Sequence, residues 1–200
     1  MSVSAPRLAV NVAVLDAERH ILLTQREDFE VWCLPGGTVD DGESLAEAAT
    51  RETVEETGLE VRLTRLVGLY SRPRFGGYHT LALFAAVPVG GTLRADPREV
   101  IDIGWFSPDA LPDDLLWGHR ERIADVVRGV GGSIVRSTKR EPPDDWPTDR
   151  AEHYVLRDRS GLSRPEFYRQ LFEPLGEETS PVEVDGRPLM WAASDPAADP

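Results

Sequence analysis

Two hundred residues, 40% of them hydrophobic, suffice for one domain plus an appendage and for a core that needs no disulfide or metal staple. Thirty-five acidic against 22 basic side chains leave a net charge of −13, which repels a polyphosphate and excludes long nucleic acid as a ligand. The single Cys33 excludes an internal disulfide framework and any CxxC site, and no apolar run approaches the roughly 20 residues of a membrane helix, so a reducing cytoplasm without a membrane partner is the expected setting.

In chain order, Leu8 to Leu15 is apolar and β-branched, and Ile21 to Thr24 is its expected hairpin partner across the Asp16 to His20 connection. Val61 to Leu69, Tyr78 to Val87 and Val100 to Phe106 are further strands, set apart by turns such as Arg72 to Gly77 and Pro88 to Gly91. A helix is expected over Leu45 to Thr57, and a second from Asp113 or Asp114 to a terminating Gly129. A mixed or largely antiparallel sheet with helices follows. Beyond Gly131, prolines punctuate the chain from Pro142 to Pro200, the mark of an extension rather than a second ordinary domain. The division is therefore residues 1–130 as the main domain and 131–200 as a Pro-rich C-terminal extension. Within the extension, Ser163 and Glu166 have capping-box spacing ahead of an apolar stripe of Phe167, Tyr168, Leu171 and Phe172, which must dock on something; the final SDPAADP is expected to be disordered.

The chemistry concentrates in Leu34 to Leu59, LPGGTVDDGESLAEAATRETVEETGL, where a glycine-rich loop enters a helix with a Ser44–Glu47 capping box and a Gly58 stop. At about 100° per residue, Glu52, Glu55 and Glu56 share a sector about 100° wide, continuing the stripe of Leu45, Ala48 and Ala49 that faces the protein. A solvated acidic helix would pair its glutamates with basic residues; here Glu52 and Glu56 are like charges at i, i+4, and only Arg51 offers relief, four residues before Glu55. Carboxylates gathered on a core-side face need protons or a cation. All-oxygen ligation selects a hard ion, Mg²⁺ or Mn²⁺, and Mg²⁺ favours a few carboxylates plus substrate phosphates, which points to a phosphorylated small molecule. Gly36 and Gly37 let the backbone approach such an ion.

This stretch resembles the Nudix box, G-x5-E-x7-R-E-U-x-E-E-x-G-U with U a bulky aliphatic residue. Counting from Gly37, the spacing places Glu43, Arg51, Glu52, Glu55, Glu56, Gly58 and Leu59 where the box requires them; Thr53 departs from it at the first U. The likeness spans about Arg7 to Gly129. It implies an α/β/α sandwich with a mixed sheet, and metal-assisted hydrolysis of a nucleoside diphosphate linked to another moiety, ADP-ribose or a related nucleotide sugar being favoured. It further implies that Glu52, Glu55 and Glu56 hold metal with the Gly36 carbonyl as a further ligand, that Arg51 orients a glutamate, and that Gly37 and Glu43 brace the loop. For the general base, Glu55 is the first choice and Glu99 the second.

Arg26, Arg72 and Arg74 are candidates to clasp substrate phosphate, although 21 of the 22 basic residues are Arg, so abundance alone accounts for many of them. Trp32, Phe75, Tyr78 and Trp105 are candidates for base stacking, with Trp105 better placed as core; His79 and His119 read as ordinary polar residues. Pro73, 14 residues past Leu59, resembles the proline of ADP-ribose hydrolases. Three alternatives stand beside this reading: hydrolysis of a nucleoside triphosphate, including an oxidised one, a non-catalytic nucleotide-sensing module, and an isoprenoid diphosphate isomerase for which Cys33 would be the catalytic thiol. The expected partner is a small nucleotide, with a homodimer left open.

Overall fold

The computed structural model describes residues 7–71, 78–129, 134–137, 146–147, 150–175 and 182–185. Arg72, Pro73, Arg74, Phe75 and the SDPAADP tail lie outside the described residues, as do the side chains of Tyr78 and His79. Two sheets are sandwiched between helices. The first, mixed and five-stranded, has the order β1 (Arg7–Val14), β5 (Tyr78–Gly91), β4 (Leu59–Ser71), β7 (Ile134–Ser137), β8 (Val182–Asp185). The second is antiparallel, with β2 (Ile21–Arg26) between β3 (Trp32–Cys33) and β6 (Val100–Phe106).

Side-chain alternation along the strands builds two cores at once. Val10, Val12 and Val14 of β1, Leu22 of β2, and Ala82 and Ala86 of β5 pack with Ala48 and Ala49 of α1 (Leu45–Thr57). Their neighbours Ala13, Ile21, Leu23, Leu83 and Ala85 point the other way, toward Ile123 and Val126 of α2 (His119–Val127). The layered α/β architecture with a mixed sheet agrees with expectation, and the α1 bounds coincide with the predicted ones.

Two local expectations are corrected. β1 and β2 do not form a hairpin: they lie in different sheets, joined only by the Leu15–Ile21 bridge and the turn between them, and β1 instead pairs in parallel with β5, from Leu8↔Thr80 to Val14↔Ala86. Burial agrees with this pairing, since Val10 to Val14 are covered on one face by the α1-side core and on the other by the α2-side core, the setting in which parallel strands are found. The second helix starts at His119, not Asp113 or Asp114, because Trp32 donates its N–H to the Asp114 carbonyl (2.9 Å) and accepts from Leu116 N–H (2.7 Å), which holds residues 114–116 extended against β3. Its end is as expected, with Gly129 at φ 73°.

The extension is part of the same body. β7 pairs in parallel with β4 and antiparallel with β8, so two extension strands continue the main sheet. α3 (Arg150–Ser160) and α4 (Arg164–Phe172) close a third cluster, in which Phe167, Tyr168 and Leu175 are buried with Phe29, Val31 and Trp117 of the main domain. The Ser163–Glu166 capping box is present, and Leu171 and Phe172 pack against the cluster from its rim. Among the described residues no helix is long and apolar enough to cross a membrane.

Candidate active site

The glycine loop is held by the edge of the main sheet. Val10 N–H donates to the Gly37 carbonyl (2.9 Å), Val12 N–H to that of Pro35 (2.8 Å), and Val39 N–H to that of Leu8 (3.1 Å), so residues 35–39 run along the free side of β1. Pro35 and Gly37 thus turn their carbonyls to the sheet, and the residue between them faces α1, where Gly36 N–H meets Glu56 Oε2 at 3.1 Å. Gly36 is required by the backbone around it, and Gly37 by the room its neighbour Glu52 takes as it stands. A Cβ on Gly36, whose φ is 146°, would lie 2.1 Å from the Val10 carbonyl oxygen, and one on Gly37 would lie 2.4 Å from Glu52 Oε1.

Beneath the loop, α1 starts at Ser44, whose side chain accepts from Glu47 N–H while Ser44 N–H donates to the Glu47 carboxylate (2.8 Å), and ends at Gly58 with φ 71°. Thr53, at the position where the box asks for an aliphatic residue, is fully buried with its hydroxyl donating to the Ala49 carbonyl (2.8 Å), so the departure leaves no polar group unsatisfied.

Arg51 spends all five guanidinium donors on this site. Nε and Nη2 reach the two oxygens of Glu43 at 2.8 Å each, Nη1 reaches Glu52 (2.9 Å) and Glu55 (3.1 Å), and Nη2 also reaches the Thr38 carbonyl (3.1 Å). Glu43, so clamped, has its carboxyl held down at about 2 by hydrogen bonding to Arg51, and its Oε2 accepts from Asp40 N–H. The three face glutamates form a gradient of exposure, the side chains of Glu55 and Glu52 being 55% and 14% exposed while Glu56 is buried. Burial pushes the Glu56 carboxyl up to about 8, reinforced by the charge of Glu52 and opposed by Gly36 N–H and Arg26. Glu52 is also raised, by burial first, against the pull of Arg51.

One guanidinium therefore serves three carboxylates directly, and Glu56 is left with a single amide. Arg26 is engaged elsewhere, its Nε and Nη2 on the buried Asp28 at 2.8 and 2.5 Å. A divalent cation fits this face: it would take the place of the proton that burial keeps on Glu56 and offset the charge of Glu52, and a Cβ at Gly37 would fill the space against Glu52. Convergence of three ligand atoms within 4.8 Å is reached, among the described residues, by Asp16, Glu18 and His20 on the β1–β2 turn, where His20 Nδ1 and N–H already bind Asp16.

Of the other expected site residues, Glu99 is exposed in the loop before β6, with its carbonyl accepting from Glu27 N–H (2.9 Å) and its charge acting on Glu52 and Glu56. Arg72 and Arg74 lie outside the described residues. Trp32 packs edge-on to Phe106 (4.8 Å between centroids) and Trp105 packs in the α1-side core. Cys33 is buried beside Thr24, and burial pushes its thiol up to about 11, which removes the thiolate an isomerase would need. Two residues that the sequence does not mark as functional support the loop from behind, one of them His119, expected to be an ordinary polar residue. Buried His119 accepts Leu34 N–H on Nδ1 (3.0 Å), and buried Arg122 donates to Asn11 Oδ1 (3.0 Å), the residue that lines Gly36. Asn11 stands out as a polar residue in an apolar run, which names no partner, and His119 and Arg122 lie in a polar stretch, GHRER, that carries no signal of burial.

A layered α/β fold with a glycine loop, a capped helix and an Arg51-centred set of glutamates defines a pyrophosphate hydrolase of the Nudix class. A model of the NUDIX domain matches residues 5–127, and the chain belongs to that family, whose members generally use divalent metals. It is 41% identical over 119 residues to the "Putative 8-oxo-dGTP diphosphatase" of Bacillus subtilis strain 168, covering 60% of this chain and 78% of that one. It is 34% identical over 134 residues to the "ADP-ribose pyrophosphatase" of Methanocaldococcus jannaschii, covering 64% and 76%. The crystal structure of an ADP-ribose pyrophosphatase from Streptococcus suis 89-1591 superposes with a TM-score of 0.55 at 29% identity, covering 62% of this chain and 92% of that one. The chain is accordingly a Nudix pyrophosphohydrolase, and the reading as a non-catalytic sensor is set aside.

Proposed function

We propose that the chain hydrolyses the pyrophosphate bond of a nucleoside diphosphate linked to another moiety, ADP-ribose or a related nucleotide sugar, with Mg²⁺ or Mn²⁺. Residues 1–130 form the hydrolase domain, and residues 131–200 an extension whose described strands and helices pack on it. The observation that carries this is the pair Glu52 and Glu56, half-buried and buried on one helix face, raised by burial and short of compensating charge. When bound, the metal polarises the phosphoryl oxygens and stabilises the charge that develops there.

The protein's part is to hold that face. Glu52, Glu55 and Glu56 supply ligand oxygens with the Gly36 carbonyl, while Arg51 fixes Glu52 and Glu55 and bolts the helix to the loop through Glu43 and Thr38. Glu55, the most exposed of the three, is the first choice to take a proton from the attacking water, and Glu99 is the second. The likeness to two ADP-ribose pyrophosphatases supports the substrate. The relative from Bacillus subtilis favours a second reading, an oxidised nucleoside triphosphate.

Co-products decide between them. With Mg²⁺, ADP-ribose should yield AMP and ribose 5-phosphate; release of inorganic pyrophosphate from a triphosphate, with ADP-ribose untouched, would overturn the first reading in favour of the second.

A further inference from the structure

The extension grips one short turn of the main domain, the turn from Arg26 to Val31 between β2 and β3. Phe29 stands among the rings of Tyr154, Phe167 and Tyr168 at centroid distances of 6.0, 6.3 and 5.6 Å. Arg164 Nη1 donates to both the carbonyl and the carboxylate of Glu27, and Arg157 Nη1 to the Asp28 carbonyl (2.7 Å). The centre of the grip is the Asp28 carboxylate, 4% exposed. Arg26 binds it through Nε (2.8 Å, Oδ1) and Nη2 (2.5 Å, Oδ2), and on the latter oxygen it also accepts from Arg150 Nη2 (3.0 Å) and the Tyr154 hydroxyl (3.2 Å).

The same turn is tied to the segments that border the glutamate face. Glu27 N–H holds the carbonyl of Glu99, and β3 leads from the turn directly into Leu34 to Gly37. Arg26 is the cation whose charge opposes the raised carboxyl of Glu56, and its Nη1 donates to no described residue, which leaves that edge of the fork available to an anion. A two-pronged bond fixes the plane of a guanidinium as well as its position. Whatever fixes the Asp28 carboxylate therefore fixes where Arg26 points.

We propose that Arg150 and Tyr154 of the extension are positioning residues for hydrolysis: through the shared carboxylate of Asp28 they set Arg26 to receive substrate phosphate beside the glutamate face. The extension thereby completes the substrate site and does more than cover the aromatic cluster. The inference rests on the proposed function only in taking that face as the site of a phosphate-bearing substrate.

The test compares four full-length proteins with Mg²⁺ and ADP-ribose: wild type, Arg150→Gln/Tyr154→Phe, Arg26→Gln, and the three changes together. The expected result is about a tenfold fall in kcat/KM for the double variant, carried mainly by KM, and no more than about a twofold further fall when the same changes are added to Arg26→Gln. Arg150→Lys should recover most of the loss. Equal losses in both backgrounds, or none in either, overturn the proposal. Tyr154→Phe alone, which removes one hydroxyl, gives the same comparison with about a threefold loss should the double variant fold poorly. A second arm is independent of turnover: in ¹⁵N-labelled protein the Arg26 Nε–H resonance, identified by its absence in Arg26→Gln, should broaden in Arg150→Gln/Tyr154→Phe. An unchanged resonance overturns the positioning role whatever the substrate. Should wild type cleave a triphosphate and leave ADP-ribose intact, the kinetic comparison is made with the triphosphate, and only the substrate reading falls.

Discussion

Replacing Glu56 by Gln separates the two properties that this residue combines, a buried acid and a proposed metal ligand. In the metal-free protein its carboxyl is pushed up to about 8 by burial and by Glu52, so at pH 7 it is about nine-tenths protonated. The unfolded chain releases the same proton near the ordinary glutamate value. Between those two values the folded state binds more protons than the unfolded one, so stability is highest on the acidic side and falls as pH rises. From pH 5 to 8 the loss amounts to about 3 to 4 kcal/mol, less to the extent that Glu52, raised in the same direction, titrates with it. For a chain of this length that is a drop of about 5 to 10 °C in melting temperature. Gln is neutral throughout and its amide oxygen can still accept Gly36 N–H. Metal-free Glu56→Gln should therefore melt with little dependence on Glu56 between pH 5 and 8 and exceed wild type at pH 8, while kcat/KM falls by two decades or more, about 3 kcal/mol. Mg²⁺ should restore the wild-type melting temperature at pH 8 and leave the variant unchanged. Differential scanning fluorimetry at four pH values, with EDTA or with Mg²⁺, reads all of this. Parallel curves for the two proteins would refute the buried-acid reasoning, and full activity of the variant would refute the ligand assignment.

Activity should vanish in EDTA and return with Mg²⁺ or Mn²⁺; turnover indifferent to chelator would remove the metal from the reaction. Between Glu55→Gln and Glu99→Gln, the change that abolishes the acidic limb of the kcat/KM profile marks the base, and a limb unaltered in both rejects both residues. Gly37→Ala places a methyl against Glu52 Oε1 and should lower kcat/KM at least tenfold; a metal titration by calorimetry should weaken in step, and undiminished metal affinity would show that Glu52 has room to move aside. Arg51→Lys exchanges a five-donor fork for a single ammonium and should cost activity about tenfold or more, measured at saturating Mg²⁺.

What the sequence disclosed was what short-range chemistry writes. Ser44, Glu47 and Gly58 mark both ends of α1 within the helix itself, and the box residues sit at spacings that one helix and one loop impose, so the glutamate face is legible without any tertiary information. The pairing of β1 is not legible because its partner, β5, is some 70 residues away and parallel, whereas the Asp16–His20 turn offers a nearby alternative that makes a single bridge. α3 is not legible because it has no buried residue and hence no apolar stripe; its contacts are arginines, Tyr154 and His153 reaching for Asp28, Phe29 and Trp146. Asn11, His119 and Arg122 are not legible for a related reason, since the value of a buried polar side chain depends on the partner opposite it, and that partner lies 85 residues away for His119, a donor, and 111 for Arg122, an acceptor.

The pairing of residues 35–39 with β1 gives the glycine loop a second duty. A valine-rich strand with open amide and carbonyl groups along one side is a template on which another chain can add itself. Here that side is sealed by the very segment that presents Gly36 to Glu56. The loop cannot swing away during turnover without unmasking the strand, so any closure over substrate must be made by other parts of the chain. Loss of the loop's hold should then show itself twice, as an idle enzyme and as a sticky one, with self-association beginning at β1.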